Sequence, residues 1–311
     1  MLVWLLWISA VCAVTLLTSY ITFRMGFYAP RKERPADTID LPEGEIYEPF
    51  WPAMEAWIRE TRATPHENLE IRSFDGLRLQ GKYYELAPGA PIEIMFHGYR
   101  GSAERDMCGG MQRAFALGHS ALIVDQRCSG GSEGNVITFG IKEHKDCLAW
   151  VDFAVAHFGP EVRLILTGMS MGAATVLMAA GKELPENVVG ILADCGYSSP
   201  RAIILDVVGK MKLPPKLLYP FVKLGARLFG GFDLEETSPV EAVKNCKVPV
   251  IFFHGLTDDF VPCSMTRENF EACASRKQLV LVPGAGHGLS YPINREEYIH
   301  QARQFFHPEA E

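Results

Sequence analysis

Leu164-Ile165-Leu166-Thr167-Gly168-Met169-Ser170-Met171-Gly172-Ala173-Ala174-Thr175-Val176-Leu177 begins as an apolar run too short for a helix, passes through Gly-x-Ser-x-Gly, and continues in small, helix-compatible residues. That order reads as a buried strand, a sharp turn and the first turn of a helix. Gly168 and Gly172 are needed because strand and helix backbones approach too closely at such a turn for larger side chains. Ser170 at the apex is expected in a strained, exposed conformation, with the helix N-terminus behind it. A plain serine turn would carry the same pentapeptide, so the flanking chain has to decide.

Outward from this stretch the chain alternates. Apolar strand candidates at 92–96, 121–124, 164–166, 188–192, 248–253 and 279–282 are separated by helical patterns at approximately 102–117, 141–157, 171–182, 263–275 and 294–306. Upstream, two alternating runs, Leu69 to Phe74 and Leu77 to Tyr84, are joined by Asp75-Gly76 and read as an antiparallel hairpin. A hairpin followed by alternating strand and helix predicts an α/β fold: a mainly parallel sheet with helices on both faces. Between 192 and 248 the alternation lapses for longer than a crossover needs. Residues 202–211 and 217–229 there are helical and apolar, punctuated by Pro214-Pro215, Pro220 and Gly230-Gly231. They are expected to form a small helical cap over the carboxyl edge of the sheet, where open α/β sheets hold their ligands; the alternative is a helical pair that only thickens the core.

At 311 residues, 48% of them hydrophobic, the chain can bury one large core, and a net charge of −7 without a basic stripe argues against nucleic acid as a partner. Its eight cysteines are scattered without a CxxC pair, as free thiols would be, and Cys147, Cys195 and Cys246 lie in or beside apolar segments and read as core. Residues 1–23 lack any charged side chain and are long enough to cross a bilayer, with Trp4, Trp7 and Tyr20 able to sit near its interfaces. Arg24, Arg31, Lys32 and Arg34 follow, so the positive-inside bias places the rest of the chain in the cytoplasm. A cleaved signal peptide competes with this, but a basic n-region and an A-x-A site are both missing. The organisation expected is a transmembrane anchor over 1–28, a Pro-rich juxtamembrane connector over 29–66 with a short helix near 51–60, and a catalytic domain over 67–311 whose cap insertion is 198–245.

A serine needs a base to take its proton, and the base needs an orienting acid. Strand 248–253 is followed by His254-Gly255-Leu256-Thr257-Asp258-Asp259-Phe260-Val261-Pro262, and the last strand by Pro283-Gly284-Ala285-Gly286-His287-Gly288. Serine, aspartate, histidine in this chain order, each beyond a strand's carboxyl end, suits the sheet described.

Together with His97-Gly98-Tyr99-Arg100-Gly101, and Asp125-Gln126-Arg127 with Gly130 and Ser132, these motifs closely resemble the α/β-hydrolase superfamily over roughly 67–307. In detail they look like its serine-aminopeptidase-like branch, which includes membrane-anchored α/β-hydrolase-domain proteins. The resemblance implies Ser170 as nucleophile, His287 as general base and then acid, and Asp258 as its orienting carboxylate. Asp259 is the alternative acid, and Asp194 a more distant one. Oxyanion donors are expected in the backbone N–H of Met171, which opens a helix whose first amides lack partners, and of Tyr99, in the turn after strand 92–96. His97 and His254 are expected to be structural. The loop Arg127 to Gly134 departs from the aromatic or histidine-containing versions in relatives, which bears on one pocket wall.

Other chemistry finds little support. His144, within Lys142-Glu143-His144-Lys145-Asp146, is expected on a solvated helix face, and His66, His119, His157, His300 and His307 are isolated without HExxH spacing, so no metal site is expected. No phosphate loop or GxGxxG follows the early strands, so no cofactor is expected. The function expected is a serine hydrolase acting on a carboxylic ester, thioester or amide through an acyl-enzyme. An esterase or lipase-like action on acyl substrates at the membrane is preferred. The alternatives are an aminopeptidase-like peptidase, for which Asp233, Glu235 and Glu236 could hold a charged amine, and a catalytically silent membrane-tethered binding protein.

Overall fold

Apolar runs such as Ile92–Phe96 and Ser120–Val124 are buried at every position, as strands covered on both faces must be. The computed structural model describes residues 1–30 and 38–307; Arg31, Lys32 and Arg34, used above for orientation, lie outside them. In chain order the helices and strands are α1 (Leu2–Gly26), α2 (Trp51–Ala63), β1 (Glu67–Arg72), β2 (Arg78–Tyr84), β3 (Ile92–Phe96), α3 (Ala103–Asp106), α4 (Gly110–Ala116), β4 (Ser120–Val124), α5 (Glu143–Phe158), β5 (Leu164–Met169), α6 (Met171–Ala179), β6 (Val188–Asp194), α7 (Pro200–Lys210), α8 (Pro215–Gly225), α9 (Pro239–Ala242), β7 (Val250–Gly255), α10 (Cys263–Ala272), β8 (Lys277–Val282), α11 (Ser290–Ile293) and α12 (Arg295–Phe306).

The strands form one eight-stranded sheet in the order β1-β2-β4-β3-β5-β6-β7-β8. The opening hairpin is antiparallel, with Ile71 opposite Leu79, and β2 joins β4 antiparallel. Every later pairing is parallel. This is the mainly parallel α/β arrangement expected. The strands match the predicted runs to within a few residues, and Asp75-Gly76 makes the turn between β1 and β2.

The predicted helix at 102–117 is split into α3 and α4. Gly109 adopts φ +80°, and a Cβ there would meet the Trp57 ring at 2.8 Å. Trp57 of α2 therefore packs directly on the backbone at the break. The insertion 198–245 is helical, as expected, in α7 and α8. Ile203, Ile204, Tyr219, Val222, Phe232 and Leu234 join Phe23, Phe27, Ile137 and Met171 in an apolar core between the insertion, the end of α1 and the start of α6. The insertion shares this core with Met171, the residue that follows Ser170.

The last turn of α1 belongs to the globular fold. The Ala29 N–H donates to the Asn135 carbonyl (2.9 Å), the Ile137 N–H to the Phe27 carbonyl (2.9 Å), and Tyr28 bridges Val136. Helix α1 and the sheet domain are thus joined without a spacer, and the segment expected to be a juxtamembrane connector packs Met54 and Trp57 against Ala285 and Leu289.

One charged cluster is buried against β3. Glu93, fully buried on β3, accepts from Arg113 Nη2 at 2.6 Å and Thr167 Oγ1 at 2.9 Å, and bonds His119 Nδ1 at 2.9 Å. His119 in turn meets His307 Nε2 at 2.8 Å, so two histidines isolated in sequence are partners in space. Burial alone would raise the Glu93 carboxyl, but Arg113 and the hydrogen bonds bring it down to about 2. A carboxyl held below its unfolded value stabilises the fold fully above pH 4.5, and that contribution is lost as pH falls from 4.5 toward 2. We expect Glu93→Gln to flatten this acid limb in denaturant titrations at stepped pH. At neutral pH the substitution should cost about 3–5 kcal/mol, because it leaves Arg113 buried without its counter-charge.

Candidate active site

Ser170 sits between β5 and α6 at φ 55°, ψ −116°, a left-handed conformation that costs about 1–3 kcal/mol for a residue with a side chain. Its N–H donates to the Asp194 carbonyl at 2.9 Å, which holds the turn. A Cβ on Gly168 would collide with the Gly172 backbone, and one on Gly172 with the Phe96 carbonyl. Both glycines are thus required by the close approach of β5, α6 and β3. Ser170 is only 5% exposed, whereas an open apex was expected, because the connector closes over it.

Three of the residues singled out in the sequence converge. His287 Nε2 lies 3.0 Å from Ser170 Oγ, and His287 Nδ1 lies 2.7 Å from Asp258 Oδ2. The other carboxylate oxygen, Oδ1, accepts the N–H groups of Val261 (2.8 Å) and Phe260 (2.9 Å), and His254 Nε2 stands 3.2 Å from Oδ2. Burial would push this carboxyl up, but hydrogen bonds from His254 and His287 outweigh it and hold Asp258 well below the usual carboxylate range. It stays ionised facing the imidazole.

The other candidate acids lie elsewhere. The Asp259 side chain is exposed beside this site. Asp194 is buried and raised by desolvation, accepting from Ser290 Oγ at 2.8 Å and Tyr298 OH at 3.3 Å. His97 is buried with Nδ1 2.8 Å from the Gly98 carbonyl and Nε2 accepting the Gln126 N–H at 3.0 Å, so its ring organises the loop after β3. His254 is likewise buried, between Thr266 and Val261. Cys195 places its sulfur within 4.8 Å of the Asp258 and His287 ligand atoms, but burial pushes its thiol well above the ordinary range and keeps it protonated behind the site. His144 is not solvated as expected. Its ring is buried with Nδ1 2.9 Å from the Gly140 carbonyl, flanked by Glu143, which caps the Thr138–Gly140 turn, and by Asp146, which pairs with Arg127 at 2.7 Å.

The first amide of α6, at Met171, has no partner within the helix. The turn after β3 carries the second expected donor, Tyr99, whose N–H has no backbone acceptor among the described residues. That turn is held from both sides. Asp106 Oδ2 accepts the Gly98 N–H at 2.9 Å. Tyr99 OH donates to the Gly26 carbonyl at 2.8 Å, while Arg100 Nη2 donates to the carbonyls of Met25 (2.8 Å) and Tyr28 (3.1 Å). The side chains of the turn therefore satisfy carbonyls left unpaired at the end of α1.

Above Ser170 lies a cavity of about 400 Å³, lined by Tyr47, Met54, Tyr99, Met169, Phe260 and Tyr291, with Glu43, Arg105, Asp106, Arg113 and Asp194 also in its wall. None of its lining residues comes from 198–245 or from the Arg127–Gly134 loop. The insertion meets the site through its shared core with Met171 and Val261 and through Lys210, whose Nζ donates to the Phe260 carbonyl at 3.0 Å. Three of its acidic residues are paired: Asp233 with Arg227 and Glu235 with Lys223 inside the insertion, and Glu236 with Lys145 of α5.

Two contributors went unread in the sequence. Asp106 was hidden in what looked like a continuous helix, and Tyr47 lies in a connector with no periodicity to mark it. The Tyr47 hydroxyl donates to the His287 carbonyl at 3.0 Å, and burial raises its pKa far beyond the usual phenol range, so it remains a donor. Tyr47→Phe should leave that carbonyl unpaired at about 1 kcal/mol, read as faster amide hydrogen exchange in the loop between β8 and α11 with little change elsewhere.

Comparison with known proteins agrees with this fold. The prolyl oligopeptidase family model matches residues 138–310. The protein YqkD of Bacillus subtilis is 28% identical over 190 residues, which cover 61% of this chain and 62% of YqkD, short of two thirds of that relative's length. Among solved structures, the Pyrococcus furiosus esterase Pf2001 superimposes with a TM-score of 0.67 at 21% identity, covering 89% of this chain and 97% of that one. Est1E of Butyrivibrio proteoclasticus, solved with ferulic acid bound, gives a TM-score of 0.59 at 21% identity over 76% and 97% of the two chains.

Proposed function

The chain belongs to the prolyl oligopeptidase family of α/β-hydrolases, and we propose that it is a serine esterase in which Ser170, His287 and Asp258 form the catalytic triad. The observation that carries this reading is the unbroken relay of 3.0 Å and 2.7 Å contacts from Ser170 Oγ through the His287 ring to Asp258. In the proposed reaction Ser170 Oγ attacks the acyl carbonyl as His287 Nε2 takes its proton. Asp258 keeps the Nδ1 proton in place and offsets the charge of the imidazolium. The oxyanion is met by the N–H groups of Met171 and Tyr99, each worth roughly 3 kcal/mol of barrier. His287 then protonates the departing alcohol. Deacylation runs the same steps with water, His287 acting again as base.

Several features favour an ester over a peptide. Tyr47, Met54, Tyr99, Met169, Phe260 and Tyr291 give the cavity an apolar and aromatic side, and the carboxylates proposed as an amine subsite in the insertion are all paired outside it. Helix α1, with a mean hydropathy of 2.1 over its spanning window, supports a single-pass anchor, and the basic residues after it support a cytoplasmic catalytic domain. Acyl substrates that partition to a bilayer would then meet the site at high local concentration. One observation keeps a peptidase as the second reading: Glu43, exposed on the cavity wall, could pair with a substrate amine.

Labelling with a fluorophosphonate probe tests the core of the proposal, since folded protein that is not labelled in a Ser170-dependent way is no serine hydrolase but a silent binding protein. p-Nitrophenyl esters of increasing chain length should be cleaved in preference to aminoacyl-nitroanilides, and exclusive cleavage of the latter overturns the esterase reading. Asp258→Asn should lower kcat by roughly 10⁴-fold by mis-setting the imidazole tautomer. Asp259→Asn, in the same assay, should leave kcat within about twofold, as surface substitutions usually do.

A further inference from the structure

Helix α1 is charge-free up to Arg24. A hydrocarbon core about 30 Å thick takes roughly 20 helical residues at 1.5 Å each. Counted from Leu2, that places the far edge of the core near Ile21. The globular fold is already in contact with the helix at this height. Gly225, at the end of α8, lies so close to α1 that a Cβ on it would collide with the Ser19 carbonyl. The Phe229 ring meets those of Tyr20 at 5.2 Å and Phe23 at 5.8 Å, and Phe27 meets Phe232 at 5.3 Å. With no spacer between helix and domain, this tip of the insertion cannot stand away from the bilayer surface.

What the tip exposes is unlike an aqueous turn. The single π-helical turn Ala226–Gly230 closes α8, and on it Leu228 is 55% and Phe229 40% exposed. They continue the exposed apolar face of α1 that Leu16, Leu17, Tyr20 and Ile21 present. Beside them Arg227 pairs with Asp233 and Lys223 with Glu235, leaving polar groups flanking the apolar pair. Two large apolar side chains next to a spanning helix, rimmed by charge, match the pattern of an interfacial insertion, in which apolar groups lie about 5–10 Å into the boundary between headgroups and acyl chains.

We propose that the Leu228-Phe229 tip of the insertion is embedded in the bilayer interface alongside α1, making a second membrane contact that fixes the catalytic domain's orientation. The proposal rests on the reading of α1 as a bilayer span. With two contacts the domain cannot swivel about the helix axis, and the mouth of the Ser170 cavity keeps one height and one direction relative to the lipid.

The test uses the full chain in phosphatidylcholine–phosphatidylglycerol vesicles, with the accessible thiols removed (Cys12→Ser, Cys108→Ser, Cys263→Ser) and the fluorophore NBD attached through Leu228→Cys. Blue-shifted emission, quenched roughly twofold by lipid carrying a shallow doxyl group and barely by aqueous iodide, is the expected result. The same label at Val189→Cys, an exposed position at the start of β6, should read as water. If the two positions give equal signals, or if the Leu228 label is iodide-accessible while the chain resists an alkaline carbonate wash, the tip contact is overturned and the span stands. Release of the chain by that wash overturns the span itself, and the tip contact with it.

Discussion

Everything at the site depends on how closely three backbones meet at the carboxyl end of the sheet. Gly168 faces Gly172 with no room for a methyl group, and Gly172 faces the Phe96 carbonyl at the end of β3 with none either. That double constraint fixes the start of α6 against two neighbouring strands, and so fixes Ser170 relative to the turn carrying Tyr99. The strain at Ser170 is sustained because α6 is buried along its whole length and cannot shift to relieve it. Loops after β7 and β8 need only reach this fixed point, and the parallel register brings Asp258 and His287 to it.

Electrostatics then separates groups of the same type by their partners. Asp258 and Asp194 are both buried near the same edge, yet the first is pulled down by histidine donors and the second is pushed up among hydroxyls. The first can therefore stabilise a cation on the imidazole, whereas the second braces Ser290 and Tyr298. The same logic accounts for the residues around His144. Their charges looked solvated because Arg127, the counter-ion of Asp146, is 19 positions away in the chain.

What could be read in advance follows a physical rule. Strands buried on both faces leave continuous apolar runs, a two-residue Asp-Gly turn announces its hairpin, and glycines forced by backbone approach sit at fixed spacing about the serine. Such features are local, and each proved to lie where the pattern put it. Features made by side chains from distant segments left no such mark. The break at Gly109 is imposed by Trp57, the roof over Ser170 is supplied by Tyr47 and Met54, and the insertion leans on Phe23 and Phe27. An apolar helical segment announces that it will be buried, but not against what.

The joining of α1 to the turn after β3 and to the insertion also sets an order of events during synthesis. The helix leaves the ribosome first, yet the hydroxyl that bonds its Gly26 carbonyl is 73 residues further on, and Gly225, which seats against Ser19, comes later still. Contacts so far apart along the chain form late, after the loops between them have closed. Until then the apolar face of α1 that will meet the insertion lacks the partner that covers it in the folded chain. The fold is thus completed on a helix made earlier, and the turn after β3 is held only once segments made later return to α1.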